Sequence, residues 1–310
     1  MTNFSPSEHA NAQLLDSSFP DTAKPSQDVG GNERSIGDII KQANNLSPDQ
    51  IESILKYQRD NGVRFGEAAV ALGLASSDDV LWALAQQFHY PYSQDSTQGF
   101  HPDLVVANKP FTDQAEAFRT MRSHLIMKLY SQADQPRRAL SVLSADSGDG
   151  KSYFAANIAV AFSQLSGRTL LIDADMRTPR QHEIFGLPPQ AAGLSSILSG
   201  RASSQVIHHV AHLPSLYVLP VGVVPPNPIE LVERPAFGML VRELLTKFDR
   251  VIVDTPAATK GADGAVIAAK CGAAVLMTRR DHSRLTALQN IVHTVGLGRT
   301  QVVGAIINEF

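Results

Sequence analysis

The chain has 310 residues, 43% of them hydrophobic and 18% charged, a globular balance that excludes a largely disordered protein. A single cysteine, Cys271, excludes a disulfide framework and a cysteine-rich zinc site. The formal net charge of −3 gives no global attraction to nucleic acid; residues 1–110 carry −7 and residues 111–310 carry +4.

At about 150 residues per domain, the length suggests two folded units. Residues 1–33 are rich in Ser, Asn, Asp and Pro without periodicity, and are expected to be a disordered tail. They lack a basic start followed by an apolar core, so no signal peptide is expected. No apolar run reaches the ~18 residues needed to cross a bilayer. A cytoplasmic protein is therefore expected, recruited to the inner membrane only by a partner.

Residues 34–92 are expected to form a small helical domain built on a tandem repeat. Its copies are Ser35–Gln58 and Arg64–Gln87, each of 24 residues, separated by five. Gly37 matches Gly66, Ile40 matches Ala69, Ile51 matches Val80 and Leu55 matches Leu84. Each copy reads as helix, turn, helix, with Ser47 and Ser76 where an N-cap is wanted. Such units bury their apolar faces against each other, which places Trp82 in the core. Residues 93–110, with Pro, Gly, Ser and Asn, read as a linker.

From 111 to 310 helical stretches alternate with short apolar runs. The runs are Leu140–Ser144, Leu170–Ile172, Leu216–Pro220, Val251–Val253, Ala273–Met277 and Val302–Ile307. Unalternating runs separated by helices predict the buried parallel strands of an α/β sheet with helices on both faces. Residues 145–152, ADSGDGKS, follow the first run and precede a helix over Lys151–Leu165. This is a P-loop with Ala145 in place of the first glycine. Gly148 and Gly150 let backbone N–H groups turn toward phosphate oxygens, and the helix N-terminus adds its dipole. Lys151 can reach the β- and γ-phosphates, and Ser152 can ligate Mg²⁺. The candidate nucleotide-binding set is Ser147, Gly148, Asp149, Gly150, Lys151, Ser152, Tyr153 and Arg177. Asp173, Asp175 and Asp254 fall at the C-terminal ends of buried strands, where open sheets bind ligands. A buried strand-end carboxylate needs a partner; Mg²⁺ on ATP supplies one. Three carboxylates and the Ser152 hydroxyl around one metal–nucleotide make a phosphoryl-transfer set.

Together these residues resemble the bacterial tyrosine kinases, P-loop enzymes unrelated to eukaryotic kinases. The resemblance covers about 111–310. It rests on the P-loop, on Asp173-Ala174-Asp175-Met176-Arg177, on the strand ending Asp254-Thr255-Pro256, on Glu116-x-x-Arg119-x-x-Arg122 and on Pro225–Val232. It implies a Mg-ATP-dependent autokinase with Lys151, Asp173, Asp175 and Asp254 as catalytic residues, Asp173 as the base, and Ser152, Asp175 and Asp254 as the Mg²⁺ ligands. It also implies self-association through Glu116, Arg119 and Arg122. The similarity is to the cytoplasmic kinases paired with a membrane chain-length determinant in exopolysaccharide export, so the cytoplasmic segment of such a determinant is the implied activator. The family's C-terminal tyrosine cluster has no counterpart, since no tyrosine follows Tyr217; the acceptor stays open. A partitioning-type ATPase and a non-catalytic nucleotide-binding scaffold are the alternatives. The first needs a lysine where Asp146 stands.

The repeat resembles the N-terminal domain of type II secretion and pilus ATPases, some of which bind cyclic di-GMP through two 24-residue motifs. The second copy fits with Arg64, Gly66, Gly73 and Gln87. The first has Ser35 for arginine and Asn44 for glycine, so weak or absent cyclic di-GMP binding is expected over 35–87. His208, His209 and His212 have helical spacing, but no carboxylate or cysteine completes a metal site.

Overall fold

The computed structural model describes residues 35–87, 100–130, 136–189, 191–201 and 205–309. They divide into two compact units, one of 35–87 with 107–111 and one of 100–106 with 112–309. The tail expected over 1–33 lies outside the described residues.

In the first unit each repeat copy is a helix pair. The first holds α1 (Ile36–Ala43) and α2 (Pro48–Asn61), the second α3 (Phe65–Ala71) and α4 (Ser77–Gln87). Local side chains satisfy the helix starts. The Ser35 hydroxyl accepts from Asp38 N at 3.2 Å. Ser47 and Gln50 form a reciprocal capping box, and so do Ser76 and Asp79. The helices close on Ile39, Ile40 and Ala83, with Trp82 packed alongside, and on Ile54, Ala68 and Ala69. The two copies turn differently. Gly73 takes the left-handed conformation at φ +66°, whereas the matching Asn44 does not, and Asn45 (φ 47°) makes the turn one residue later.

In the second unit α5 (Asp113–Leu125) runs into a π-helical turn over Ile126–Tyr130. Then follow β1 (Ala139–Ser144), α6 (Lys151–Ser163), β2 (Thr169–Asp173), α7 (Gln181–Ile184), α8 (Leu194–Leu198), β3 (His208–His209) and β4 (Leu216–Leu219). After them come α9 (Pro228–Glu233), α10 (Pro235–Lys247), β5 (Arg250–Asp254), α11 (Asp263–Cys271), β6 (Gly272–Arg279), α12 (Leu285–Leu297) and β7 (Gln301–Asn308). The sheet order is β3-β4-β2-β5-β1-β6-β7, parallel throughout except for β3. Strands β1, β2 and β5 are apolar because both faces are covered. Phe237, Leu240, Val241 and Leu244 of α10 join one core with Leu170, Ile172, Val251 and Val253. Leu143, Ala274 and Leu276 meet Ala268 of α11 and Val295 of α12 in another.

All six expected strands are present. The seventh, β3, is a two-residue antiparallel edge with no apolar run to announce it. It corrects the helical reading of the histidines, since His208 and His209 are extended and His212 sits in a turn at φ 64°. The linker expected over 93–110 is also corrected in part. Leu104 and Val106 are fully buried in the second unit, and Val106 N donates to Asn157 Oδ1 of α6 at 3.1 Å. Short polar residues around them hid that role. Among the described residues no helix is long and apolar enough to cross a membrane.

Candidate functional site

Strand register builds the site. On β2 and β5, Asp173 pairs with Asp254, and Val142 of β1 pairs with Asp254 from the other side. Two carboxylates and the start of the P-loop therefore arrive together at the C-terminal edge of the sheet. Both aspartates are completely buried.

Between β1 and α6 the loop turns at Gly148 (φ 90°) and Gly150 (φ 97°), a backbone that side chains strain. A Cβ on Gly150 would also come within 2.5 Å of Asn308 Nδ2. The loop is braced from within. Asp146 N donates to Asp149 Oδ2 at 3.0 Å, and the Ser144 hydroxyl donates to Asp146 O at 2.7 Å. It is braced from outside by Ser283, whose hydroxyl donates to Asp149 Oδ1 at 3.2 Å, and by Asn308 Nδ2, which donates to Asp149 O. Lys151 opens α6 nearly buried, with Nζ 2.8 Å from Ser144 Oγ. Burial pulls its pKa down, while the charge of Asp254, then of Asp175, pushes it back up. α6 is apolar from Phe154 to Phe162 except for Asn157, and, as a helix buried all round requires, that one polar side chain is bonded to Val106 N, Asp103 O and Tyr153 O.

Each carboxylate has a different setting. Asp173 accepts three backbone N–H groups, from Asp175, Arg180 and Gln181. Burial, and then the neighbouring Asp254, hold its pKa well above the ordinary carboxylate value. Burial likewise pushes Asp254 up to about 6, against the pull of Gln181, Ser152 and Lys151. Its Oδ2 accepts from Gln181 Nε2 at 2.8 Å, and its Oδ1 has no hydrogen-bond partner. Asp175 is occupied locally, with Oδ1 accepting from Arg177 N and Thr178 N and Oδ2 from the Thr178 hydroxyl.

The remaining expected residues are placed differently. Arg177 forks onto buried Asp263, the first residue of α11, at 2.9–3.2 Å. Tyr153 turns toward α5, its hydroxyl accepting from Gln114 Nε2 at 2.8 Å and its ring tilted against Phe118. The exposed Glu116 pairs within α5 with the mostly buried Arg119, and Arg122 Nη1 donates to Ala161 O of α6 at 2.7 Å. Sequence reasoning did not single out Gln181, Asp263, Ser283 or Asn308. They lie eight or more residues from any motif residue they serve, and only folding makes them neighbours.

The raised Asp254 pKa fixes a sign. A carboxyl with a raised folded pKa helps folding at low pH and loses that help as pH rises from the unfolded value near 3.8 through about 6. Ligand-free protein is therefore expected to lose stability across that window. Asp254→Asn is expected to be more stable than wild type at pH 7.5, by roughly 1–3 kcal/mol. Urea denaturation at pH 4.5 and 7.5 checks this; a variant less stable at pH 7.5 contradicts it.

Comparisons with known proteins identify the family. Residues 140–310 match the CobQ/CobB/MinD/ParA nucleotide binding domain. The chain is 30% identical over 206 residues to the tyrosine-protein kinase YwqD of Bacillus subtilis, covering 66% of this chain and 85% of that one. It is 29% identical over 205 residues to the tyrosine-protein kinase Wzc of Salmonella typhi, and there spans only 28% of the relative's length. The solved kinase domain of the Escherichia coli tyrosine kinase ETK superposes with a TM-score of 0.62 at 28% identity, over 68% of this chain and 80% of that one. With a nucleotide-binding domain of this type and kinases among its relatives, the chain belongs to the bacterial tyrosine kinases.

Proposed function

We propose that the chain transfers the γ-phosphoryl group of Mg-ATP to a tyrosine hydroxyl. The observation that carries this reading is the register pairing of Asp173 with Asp254 beside the P-loop lysine. A bound Mg²⁺, held by Ser152 and Asp254, would neutralise the negative charge that develops on the transferred phosphoryl group. The residues present fit such an ion. Asp254 Oδ1 is a buried acceptor without a partner, and the Ser152 hydroxyl stands beside the same carboxylate. Among the described residues no three His, Cys, Asp or Glu side chains group closely enough to hold a metal alone. The proposed ligands are accordingly Ser152 and Asp254, with phosphate and water completing the shell, and Asp175 acting through the turn it caps.

Lys151 stabilises charge on the transferred group. Asp173 is the proposed base, taking the proton as the tyrosine oxygen bonds to phosphorus and the bond to the ADP oxygen breaks. Ser147, Gly148, Asp149 and Gly150 supply the loop backbone. The Asp149 side chain and Arg177 are engaged elsewhere, which supports a bracing role for each. A partitioning-type switch is disfavoured because Asp146 stands where its lysine belongs. Tyr57, Tyr130, Tyr153 and Tyr217, the described tyrosines, are all partly buried, so the acceptor is sought beyond them. The family resemblance supports control of exopolysaccharide chain length in the cytoplasm, with a membrane chain-length determinant recruiting and activating the kinase.

Self-association through α5 is proposed to rest on Glu116 and Arg119, since Arg122 is tied to α6. The repeat unit is proposed as an interaction unit rather than a cyclic di-GMP site. Ser35 is spent as an N-cap, the two turns differ by one residue, and Gly66 is needed because a Cβ there would meet Val80 Cγ1 at 2.8 Å.

Three measurements test these readings. Lys151→Met is expected to abolish phosphotyrosine with an unchanged circular dichroism spectrum; retained transfer sinks the kinase reading. Glu116→Ala, at a side chain 67% exposed, is expected to lower assembly mass in light scattering without lowering the melting temperature. An unchanged mass from an oligomeric wild type removes α5 from the interface. Calorimetry of the full chain with cyclic di-GMP is expected to give no heat; tight binding that vanishes in Arg64→Ala would restore the ligand site.

A further inference from the structure

Gln181 is completely buried, yet it is polar where a leucine or methionine of similar size would fill the space without desolvation cost. Its Nε2 donates to Asp254 Oδ2 at 2.8 Å and to the Ser152 carbonyl at 3.1 Å. Its backbone N–H donates to Asp173 Oδ2 at 3.0 Å. One residue thus touches both paired carboxylates and the residue after the P-loop lysine. Three separate elements, β2, β5 and α6, are tied through it. Its Oε1 is buried without a hydrogen-bond partner, as is Asp254 Oδ1. An amide placed only to brace the fold would be expected to use both ends, because an orphaned buried acceptor forfeits the hydrogen bond it had in water.

We infer that Gln181 is a positioning residue for the metal–nucleotide complex: its N–H₂ group orients Asp254, and its Oε1 accepts a hydrogen bond from a water in the Mg²⁺ shell. The donation leaves Oδ1 of Asp254 as the oxygen available to the cation. The bond to the Ser152 carbonyl holds the start of α6, and with it the Ser152 hydroxyl, at a fixed distance from that carboxylate. Nothing in the loop between Arg177 and Gln181 marks this role in the sequence. The inference rests on the Mg-ATP reading of the site.

The test uses the full chain, a fluorescent ADP analogue and titrated Mg²⁺. Gln181→Met keeps the volume and removes both polar ends. Its analogue affinity without Mg²⁺ is expected to stay within twofold of wild type, while the tightening produced by Mg²⁺ falls about tenfold. In a double-mutant cycle, Gln181→Met is expected to cost less on an Asp254→Asn background than in wild type, since orienting that carboxylate is one of its two roles; full additivity overturns that role. Equal Mg²⁺ dependence in Gln181→Met and wild type overturns the inference. So does an equal loss with and without Mg²⁺, which marks a purely structural residue. If Gln181→Met does not fold, Gln181→Asn replaces it: the same loss of Mg²⁺ tightening supports the inference and wild-type behaviour overturns it. Wild-type binding that ignores Mg²⁺ defeats the inference together with the metal site, whereas Mg²⁺-dependent binding without transfer to tyrosine defeats the kinase reading alone.

Discussion

Parallel pairing of β2 with β5 forces Asp173 and Asp254 side by side in a place with no water to screen them. Burial is the larger cost and like charge adds to it: burial, then the neighbouring Asp254, raises the Asp173 pKa, and burial, with a smaller push from Asp175, raises that of Asp254. Much of the surrounding structure answers that cost. Three backbone N–H groups converge on Asp173, the Gln181 amide reaches Asp254, and Lys151 lies close enough for its charge to matter. A dication with phosphate is the ligand that such an arrangement favours, because it removes the repulsion that folding created.

The P-loop beside this pair is held by contacts of its own. Its aspartate, Asp149, is fully buried and bonded to Asp146 within the loop and to Ser283 beyond β6. Asn308, at the end of β7, fastens the Asp149 carbonyl. The loop is therefore set by the ends of β6 and β7 as much as by its own glycines. On its other side, α6 is locked to α5 by the Gln114–Tyr153 bond near the P-loop end and the Arg122–Ala161 bond near the far end. Phe118 packs between Tyr153 and Phe154 in the middle. α5 is thus packed along the helix that carries Lys151 and Ser152.

The first unit follows a simpler rule. Its four helices are short, and short helices owe their stability to packing and to satisfied ends. Ser35, Ser47 and Ser76 supply three of those ends, and the Arg64 N–H is met by Glu67. The repeat is a repeat of caps and apolar positions. Its departures, serine at 35 and asparagine at 44, are absorbed by the local backbone without loss of the fold.

Local pattern was enough for much of this protein. The six parallel strands, the helix pairs of the repeat and the P-loop all depend on near neighbours: apolar runs bounded by turn residues, capping residues ahead of helices, glycines where φ must be positive. Asp173 and Asp254 were legible as site residues because strand-end carboxylates are hard to bury without a partner. Strand order and register were not written locally, so the pairing of those two aspartates, and with it their raised pKa values, came only with the sheet. The bracing residues were invisible for the same reason. Gln181, Asp263, Ser283 and Asn308 are ordinary polar residues until folding brings them against a buried charge. Arg177 and Arg122 had motif positions, yet tertiary contacts decided that one would fork onto Asp263 and the other would hold α5 to α6. Sequence determines which groups are available over short range; what each one does is settled by which distant group needs a hydrogen bond or a countercharge once water has been excluded.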